Sequence, residues 1–358
     1  MKHLVSIINW LLTTSREANK PPFFILIDFL KLKKKIAISK EEYLNYCFYN
    51  ADSSFKETFL SISSAWKLWH LLNPIEYACI ARDKYISHCM LKKVNIPTSE
   101  LYLYYNPQLT YNTDNVACNY NGVVELLRKK QVKQCVIKLS QDSAHGEGVI
   151  VCHAVEFHDK KCLLKRYDGS YLDLKTVLKN APLLFESLVK QNNQFSAFNS
   201  SSVNTIRMMT ALYPNNKVRL IAAFIKIGRD GSDVDNAGAG GNVDVAIDIN
   251  SGKLYNAIEF NSWHNIVKID KHPDTGSQIE GESISNWEEI VGKVCDYQAR
   301  MPQLKIIGWD VAITEEGPVI IEINNWWDTT GQLFIKRGWK KEVEDCYNAW
   351  NNYKLTLL

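Results

Sequence analysis

KIIGWDVAITEEGPVIIEINNWWDTTG, residues Lys305 to Gly331, contains two short apolar segments on either side of a turn. Apolar side chains occupy every second position of both segments: Ile307, Trp309, Val311 and Ile313 in the first, and Val319, Ile321 and Ile323 in the second. A period of two is typical of β-strands. We therefore predict a β-hairpin whose two apolar rows share one face and pack into a core.

The turn determines which residues of the hairpin face one another. A three-residue loop at 315–317 would end on a glycine, the residue best suited to the left-handed conformation at that position. In this register Thr314 lies opposite Pro318 and Asp310 lies opposite Glu322. A two-residue loop would break the second pairing.

The polar face of this hairpin brings Asp310, Glu322 and Asn324 within reach of one another. Two carboxylates and an amide this close repel unless a cation lies between them, and a small set of hard oxygen ligands suits Mg²⁺. A site that leaves coordination positions for phosphate oxygens predicts a nucleoside triphosphate as the partner. The alternative is an exposed hairpin whose charged face is hydrated.

The overall composition is that of a globular protein with two or three domains. The chain has 358 residues, of which 46% are hydrophobic and 23% charged, and its net charge of +3 is too small to indicate nucleic-acid binding. Nine scattered cysteines without a C-x-x-C pair support neither a disulfide framework nor a zinc site. No apolar run approaches the roughly 20 residues that span a bilayer, so we predict a cytoplasmic protein.

Residues 1 to about 80 have the apolar spacing of helices, and Ser39 with Glu42 has the pattern of a capping box. Within this region Pro22 to Lys35 combines an apolar run with the basic cluster KLKKK. Such a helix can lie on an anionic membrane surface at the inner face of the membrane. We favour a helix with a hydrated basic end, and peripheral membrane contact is the alternative.

Two lysines lie next to features that suit phosphate binding. Asp83 and Lys84 open a predicted helix, and Lys138 is on a strand that leads into the small-residue loop SQDSAHGEG, residues 140–148. Glycines in such a loop let backbone amides approach phosphate oxygens. The pattern is neither a P-loop nor a dinucleotide fingerprint. A hydrated surface lysine and a hairpin loop without ligand are the alternatives.

Two later segments indicate a nucleotide site between domains. LLFESLV, residues 183–189, is an apolar strand with one acid, Glu186, and such an edge can hold adenine. Further strands carry Arg207 and Arg219, and a loop rich in Gly, Asp and Asn follows at 228–242. Loops of this length usually move or bind a ligand. The arginines can balance an anionic ligand or serve as structural ion-pair partners.

In their order along the chain, these features resemble the ATP-grasp superfamily, and the resemblance covers about Tyr77 to Asn324. Five segments more narrowly resemble the ATP-grasp proteins associated with sugar transfer in surface-polysaccharide gene clusters. They are VNTIRMMT (203–210), VDNAGAGG (234–241), AIDINSGKL (246–254), KHPDTG (271–276) and GWDVAITEEGPVIIEINN (308–325).

The resemblance implies an α+β fold of the ATP-grasp type, in which two α+β subdomains clasp ATP, with a mainly helical N-terminal region. It divides the chain into that helical region leading into the pre-ATP-grasp part (1–105), a lid subdomain (106–187) and a C-terminal subdomain with the magnesium site (188–358). The implied activity is that of a carboxylate–amine ligase that uses Mg-ATP, forms an acyl-phosphate and releases ADP.

The same resemblance assigns roles to individual positions. ATP would contact Lys84, Lys138, Gly146, Gly148, Glu186 and Leu188; Mg²⁺ would bind Asp310, Glu322 and Asn324; and the catalytic set would be Arg207, Arg219, Asn236, Gly240 and Gly241. The expected substrates are a small carboxylate and an amine, with a nucleotide- or lipid-linked sugar as a further partner in surface-polysaccharide synthesis. A kinase acting on a sugar hydroxyl and a non-catalytic ATP-binding partner of glycan assembly are the alternatives.

Two positions depart from the family pattern. Gln191 to Gln194 contains no acid for the ribose hydroxyls, so an amide or another segment must make that contact. Val234 and Asp235 stand where many relatives have an arginine before the loop asparagine. We expect Arg219 or Arg229 to substitute for it.

Overall fold

The computed structural model describes residues 2–141, 148–158, 161–178, 180–232, 242–262 and 265–356. Within these ranges no helix is both long enough and apolar enough to cross a bilayer. The helices are α1 Lys2–Ala18, α2 Pro22–Ile36, α3 Lys40–Asn45, α4 Ser53–Thr58, α5 Ile62–Leu72, α6 Cys79–Arg82, α7 Lys84–Lys93, α8 Tyr120–Lys129, α9 Leu174–Val177, α10 Asn193–Phe198, α11 Trp287–Ala299, α12 Gly331–Ile335 and α13 Lys340–Thr356.

The strands of the described residues form three sheets. They are β1 Leu101–Tyr105, β2 Val116–Ala117, β3 Cys135–Leu139, β4 Ile150–Cys152, β5 Ala154–Phe157, β6 Cys162–Lys165, β7 Tyr171–Asp173, β8 Leu183–Glu186, β9 Thr205–Leu212, β10 Val218–Ile227, β11 Val243–Ile247, β12 Leu254–Ser262, β13 Asn265–Lys268, β14 Ile306–Thr314 and β15 Gly317–Asn324. The sheet orders are β2-β1-β8-β3-β4, β13-β12-β11-β10-β9-β14-β15 and β5-β6-β7.

The seven-stranded sheet is buried on both faces over much of its area, which explains why its inner strands are almost continuously apolar. Met208 packs into a core under α11, while its neighbour Met209 packs into a second core under α5 and α13. The second face changes character along its length. Side chains two residues apart on a strand lie on the same face. Arg207 therefore shares the second face with Met209, and Lys226 shares it with Phe224.

The predicted hairpin is present as β14 and β15, but its loop is shorter than predicted. Thr314 pairs with Gly317 across a two-residue turn at 315–316, and Pro318 pairs with Ile313. The predicted three-residue loop and the predicted Thr314–Pro318 pairing are therefore wrong. The hydroxyl of Thr314 accepts a hydrogen bond from the amide of residue 316 and donates one to the carbonyl of Gly317, which stabilises the tighter turn.

Asp310 nevertheless lies opposite Glu322, as predicted. A β-bulge immediately after this pair leaves Ile321 without a partner on β14 and compensates for the shorter turn. The bulge also changes which side chains enter the core, because Ile320 and Ile323 are buried there while Ile321 is only half-buried. Asp310 and Glu322 thus share a face because a two-residue turn is followed by a bulge, and not because of the predicted three-residue loop.

The five-stranded sheet packs against α8. Strand β8 is central and antiparallel to both β1 and β3, and Leu103, Phe185 and Ile137 from these strands are buried in one core. Leu101–Tyr105, which we placed in the N-terminal region on sequence grounds, lies inside this sheet. The strand β8 leads directly out of this sheet towards the seven-stranded sheet.

The N-terminal helices are attached to the C-terminal part of the chain. The predicted capping box of Ser39 and Glu42 is confirmed at the start of α3. The buried amide of Gln332 accepts a hydrogen bond from Leu60 N at 2.8 Å and donates one to Leu60 O at 3.0 Å, and its oxygen also accepts from Trp339 N at 2.9 Å. One side chain therefore joins the segment before α5 to the segment before α13.

Candidate functional site

Asp310 on β14 is the centre of a buried charge cluster. Its carboxylate accepts hydrogen bonds from Nε and Nη2 of Arg207 at 2.6 and 3.0 Å, and Lys226 Nζ lies 3.2 Å from Oδ1. Burial alone would raise the pKa of Asp310, but the charges of Arg207 and Lys226 outweigh it and hold that pKa below its ordinary value. Asp310 is therefore a carboxylate at neutral pH.

Lys226 is a site residue that the sequence analysis misses. It lies near the end of the apolar strand VRLIAAFIKI and is only 7% exposed. A cation in the fully buried part of this strand, residues 221–227, requires an anionic partner. That requirement is the signal that could have identified it.

Glu322 on β15 extends the cluster towards α7. Lys84, the first residue of α7, places Nζ 3.2 Å from Glu322 Oε1. Asn324 is two residues further along the same face of β15 and donates a hydrogen bond to Gly308 O at 3.3 Å. The fold thus brings together four residues predicted for ATP and metal binding: Lys84, Asp310, Glu322 and Asn324.

Asp83 joins the start of α7 to the start of the glycine-containing loop. Its Oδ1 caps the helix by accepting hydrogen bonds from the amides of residues 85 and 86, and it also accepts one from Ser140 Oγ at 3.0 Å. Gln141 Nε2 donates to the other carboxylate oxygen, and Lys84 N donates to Ser140 O at 2.8 Å. From the sequence we interpreted Asp83 only as part of a helix start.

Lys138 and Glu186 contribute charge from the five-stranded sheet. Lys138 Nζ lies 2.8 Å from Glu186 Oε2, and both side chains are largely buried. Burial would lower the pKa of Lys138, but the charges of Glu186, Glu322 and Asp310 raise it above its ordinary value. Glu186 belongs to the five-stranded sheet, and Glu322 and Asp310 belong to the seven-stranded sheet. Because all three carboxylates act on Lys138, these two sheets face each other across the cluster.

His88 is a further buried group beside the Lys138–Glu186 pair. It lies one turn after Lys84 on α7, and its Nδ1 has no hydrogen-bond partner among the described residues. Burial lowers the pKa of His88, with the nearby charge of Glu186 opposing that effect. The imidazole is consequently neutral at physiological pH.

Of the remaining loop and hinge residues predicted for the site, the structure describes Gly148 and Leu188. Gly148 has a φ of 75°, and a Cβ at this position would meet Leu139 Cδ1 at 2.7 Å, so only glycine fits there. Leu188 is half-buried in the segment that follows β8. Four predicted residues, Gly146, Asn236, Gly240 and Gly241, lie outside the described residues.

The two arginines expected to substitute for the missing one contact other residues in the structure. Arg219 is exposed and stacks over the ring of Tyr213, and it is seven residues along β10 from Lys226, which is roughly 23 Å at the rise of a strand. Arg229 instead binds Asp274 and Glu259 at 2.7 and 2.9 Å, so it anchors the segment that precedes residue 233. Lys226 is the second cation beside Asp310.

The amides after the hinge are used for structure. Gln191 is buried; its side chain donates to the carbonyls of Asn199 and Ser202 and accepts from Asn204 N. Asn192 caps α10 by accepting from Phe195 N at 3.0 Å. The side chains of Gln191 and Asn192 thus have local partners, and the expectation that an amide or another segment contacts the ribose stays a prediction.

The N-terminal helical region also reaches the charge cluster. Burial would lower the pKa of Arg207, but the charges of Asp310, Glu322 and Asp328 raise it. Asp328 also acts on Tyr46, next to α3, whose pKa is raised first by burial and then by this carboxylate. Asp328 follows β15 by four residues, so the loop after the predicted metal ligands lies between the cluster and the N-terminal helices.

That loop also contributes to an aromatic group at the protein surface. Trp66 and His70 of α5 stack with ring centroids 4.9 Å apart, and Trp326 contacts both rings at 5.1 and 4.6 Å. The guanidinium of Arg82 lies 5.6 Å from the Trp326 ring. Trp66 is 46% exposed. We call Trp66, His70 and Trp326 the aromatic platform; Trp326 is two residues from Asn324, and Arg82 is two residues from Lys84.

The oxygen ligands on the hairpin match the chemistry of Mg²⁺. Asp310 and Glu322 are a directly opposed pair, for which Cβ atoms are about 5 Å apart, and Asn324 shares their face. The described residues contain no group of three or more His, Cys, Asp or Glu side chains arranged to hold a metal ion. The candidate ligand set is therefore two carboxylates, each paired with a cationic side chain, and one amide that donates to a backbone carbonyl.

Comparison with known proteins gives one family match. The family described as "Sugar-transfer associated ATP-grasp" matches residues 64–347. A comparison with curated proteins gives no match. The match includes all three sheets and α13 up to residue 347, while α1 to α4 precede it.

Among solved structures, the similarities are distant. N5-carboxyaminoimidazole ribonucleotide synthetase from Thermotoga maritima is 14% identical, with a TM-score of 0.41, over 80% of this chain and 55% of that one. D-Alanine–D-alanine ligase from Bacillus anthracis is 14% identical, with a TM-score of 0.40, over 78% and 70% of the two chains. Phosphoribosylamine–glycine ligase from Thermotoga maritima is 12% identical, with a TM-score of 0.44, over 81% and 61%. The chain thus spans about half the length of the first of these proteins.

Proposed function

Because this chain belongs to the sugar-transfer associated ATP-grasp family, we propose that it is an ATP-dependent carboxylate–amine ligase that releases ADP. The family membership and the α+β ATP-grasp fold predicted from the sequence are confirmed. The activity, the substrates and the roles of individual residues are proposals. So is the division of the chain into a lid (106–187) and a C-terminal subdomain (188–358).

The observation that carries the proposal is the charge cluster between the two sheets. It combines four cations, Lys84, Lys138, Arg207 and Lys226, with three carboxylates, Glu186, Asp310 and Glu322. Phosphoryl transfer is catalysed mainly by positioning and by positive charge around the transferred group. A cluster in which every carboxylate is held by a cation is suited to exchange those partners for a metal-bound triphosphate.

We assign a role to each residue of this cluster and to the predicted residues beside it. Lys84 and Lys138 bind phosphate oxygens of ATP, and Glu186 with Leu188 lines the adenine edge. Asp310, Glu322 and Asn324 hold Mg²⁺, which when bound neutralises charge on the phosphate oxygens. Arg207 and Lys226 then remain beside the ion as cations for the transferred group. Asn236, Gly240 and Gly241 belong to the proposed loop over the acyl group.

The proposed reaction has two steps. A substrate carboxylate oxygen attacks the γ-phosphorus of ATP, an O–P bond forms, and the bond from the γ-phosphorus to the bridging oxygen breaks to release ADP. An amine nitrogen then attacks the carbonyl carbon of the acyl-phosphate, phosphate leaves, and the nitrogen loses a proton to give the amide. Arg207, held 2.6 Å from Asp310, is placed to balance the charge that builds up in the first step.

The aromatic platform supports a sugar as one substrate. Pyranose rings present C–H faces that pack on exposed aromatic rings, and Trp66 offers such a ring beside the loop that follows the metal ligands. Two donors on this loop, Asn325 Nδ2 and Trp326 Nε1, are buried without a hydrogen-bond partner among the described residues. We therefore propose a uronic-acid-type sugar, free or linked to a nucleotide or lipid, as the carboxylate substrate, with an amino acid or other amine as the second.

The test is ADP release by the purified protein with ATP, Mg²⁺ and a panel of uronates paired with amino acids. The proposal predicts ADP and an amide product that mass spectrometry identifies, and Asp310→Asn should abolish both. ADP formed together with a phosphorylated sugar hydroxyl would identify a kinase instead. Nucleotide binding that depends on Asp310 without turnover for any pair would identify a non-catalytic ATP-binding protein.

A further inference from the structure

Helix α2 buries one face and exposes the other. Ile25, Phe29, Leu32 and Ile36 are buried, and their spacing places them on one stripe of the helix. On the remaining surface, Phe23, Phe24 and Leu30 are 66%, 61% and 52% exposed. Two aromatic rings and a leucine in contact with water form an apolar surface that burial elsewhere would stabilise.

The charge on the exposed side of α2 is entirely basic. The C-terminal half of the helix carries exposed lysines: Lys31, Lys33, Lys34 and Lys35. The single acid of the helix, Asp28, is bound by Lys56 at 2.7 Å and by the hydroxyl of Tyr43 at 2.7 Å. Lys31 and Lys34 follow Phe23 by eight and eleven residues, so helical periodicity places them on the same side as that ring.

Helix α1 packs beside α2 and also exposes apolar side chains. Its large apolar residues Ile7, Ile8 and Leu12 are each 40% or more exposed. The two helices, residues 2–36, therefore form a hairpin that combines apolar side chains in water with a run of lysines. We call this the basic hairpin.

We propose that the basic hairpin is a membrane-binding surface that lies in the plane of an anionic bilayer. Phe23, Phe24 and Leu30 would enter the boundary between headgroups and acyl chains, and the lysines would contact the lipid phosphates. This combination of aromatic and basic side chains is the one that interfacial helices use. The inference does not depend on the reaction proposed above.

The charge distribution favours a bilayer over a second copy of the chain. A two-fold contact through this surface would bring the same lysines of both copies together, because such interfaces are self-complementary. Like charges at short range oppose that arrangement. An anionic lipid surface instead offers many negative groups to the lysines and an apolar layer to the phenylalanines.

The membrane inference also has a geometric consequence. The N-terminal helices are joined to the C-terminal part through the contacts of Gln332 with Leu60, and Tyr46 lies near Asp328. A bilayer bound to the basic hairpin would therefore be attached to the same structural unit as the loop after the metal ligands. A substrate carried on a lipid could reach the site from that side.

The test is co-flotation of the full-length protein with lipid vesicles. One set consists of phosphatidylcholine, and the other of phosphatidylcholine mixed with phosphatidylglycerol. We expect flotation with the anionic set only, weakened by added salt because salt screens the lysine contribution. Lys31→Gln with Lys34→Gln should lower partitioning about thirty-fold, and Phe23→Ala with Phe24→Ala about a hundredfold.

Matched controls separate a specific surface from a general effect of charge or folding. Lys253→Gln with Lys271→Gln removes two exposed lysines elsewhere and should float like the parent protein. All variants should keep the thermal unfolding midpoint of the parent. Absence of flotation with anionic vesicles, or equal loss in the control variant, would overturn the inference. Self-association that the phenylalanine variant abolishes, without any flotation, would identify a contact between copies instead.

Discussion

Removal of the charge at Asp310 should destabilise the fold much more than the same change at Glu322. The Asp310 side chain is 8% exposed and is held by Arg207 and Lys226, whose side chains are 15% and 9% exposed. Asp310→Asn removes the carboxylate that both buried cations contact, which typically costs about 3–5 kcal/mol. Glu322 is 33% exposed, so loss of its ion pair with Lys84 in Glu322→Gln should cost about 1 kcal/mol or less.

The assay is urea unfolding at neutral pH, followed by tryptophan fluorescence, for the parent and both variants without nucleotide. The double variant Asp310→Asn with Lys226→Met should recover part of the loss, because one of the two cations that contacted the Asp310 carboxylate is then absent. Both single variants should lose Mg-ATP turnover, so activity alone does not separate them. Equal destabilisation by the two single variants, or no recovery in the double variant, would refute the electrostatic reasoning.

Three further predictions concern phosphate binding, sugar binding and pH. Lys138→Met should lower kcat/KM for ATP about a hundredfold in steady-state ADP release, whereas the exposed Arg219→Met should leave it unchanged. Trp66→Ala should raise KM for the sugar substrate but not KM for ATP; an equal rise in both would contradict a sugar subsite. Burial lowers the pKa of His88 in the folded protein below its ordinary value of 6.5. As the pH falls below 6.5, the unfolded state therefore binds more protons than the folded state, and the free energy of unfolding should decrease. His88→Gln should weaken the dependence of the urea midpoint on pH between about pH 5 and pH 7. The dependence that remains comes from His272, whose pKa is also lowered by burial. A pH dependence equal to that of the parent protein would refute this.

Much of the hairpin could be predicted from the sequence because its information is local. The period-two pattern identified both strands, and the register of the predicted loop placed Asp310 opposite Glu322, although the structure reaches that pairing through a shorter turn and a bulge. The loop length could not be predicted, because hydrogen bonds of the Thr314 hydroxyl compete with the preference of Gly317 for a left-handed position. The bulge at Ile321 that restores the pairing has no signal in the pattern.

The contacts that the sequence did not predict depend on distant parts of the chain. Lys226 meets Asp310 because β9 pairs with both β10 and β14 and so brings these two strands close together, and sequence spacing does not give that strand order. Arg219 was predicted from its residue type alone, and the structure places it at the other end of the same strand from Lys226. Asp83 binds Ser140, which is 57 residues away, so a local interpretation as a helix start was incomplete.

The contacts of Gln332 bear on how this protein can be shortened for crystallisation. The family match begins at residue 64, which invites an expression boundary there, but Leu60 would then be deleted. The Gln332 amide would lose its bonds to the Leu60 N–H and C=O inside a core, at a cost of about 1–3 kcal/mol for each buried group left unpaired. A chain trimmed to the family region should therefore be less stable than the full-length protein, and a workable boundary must lie before Leu60.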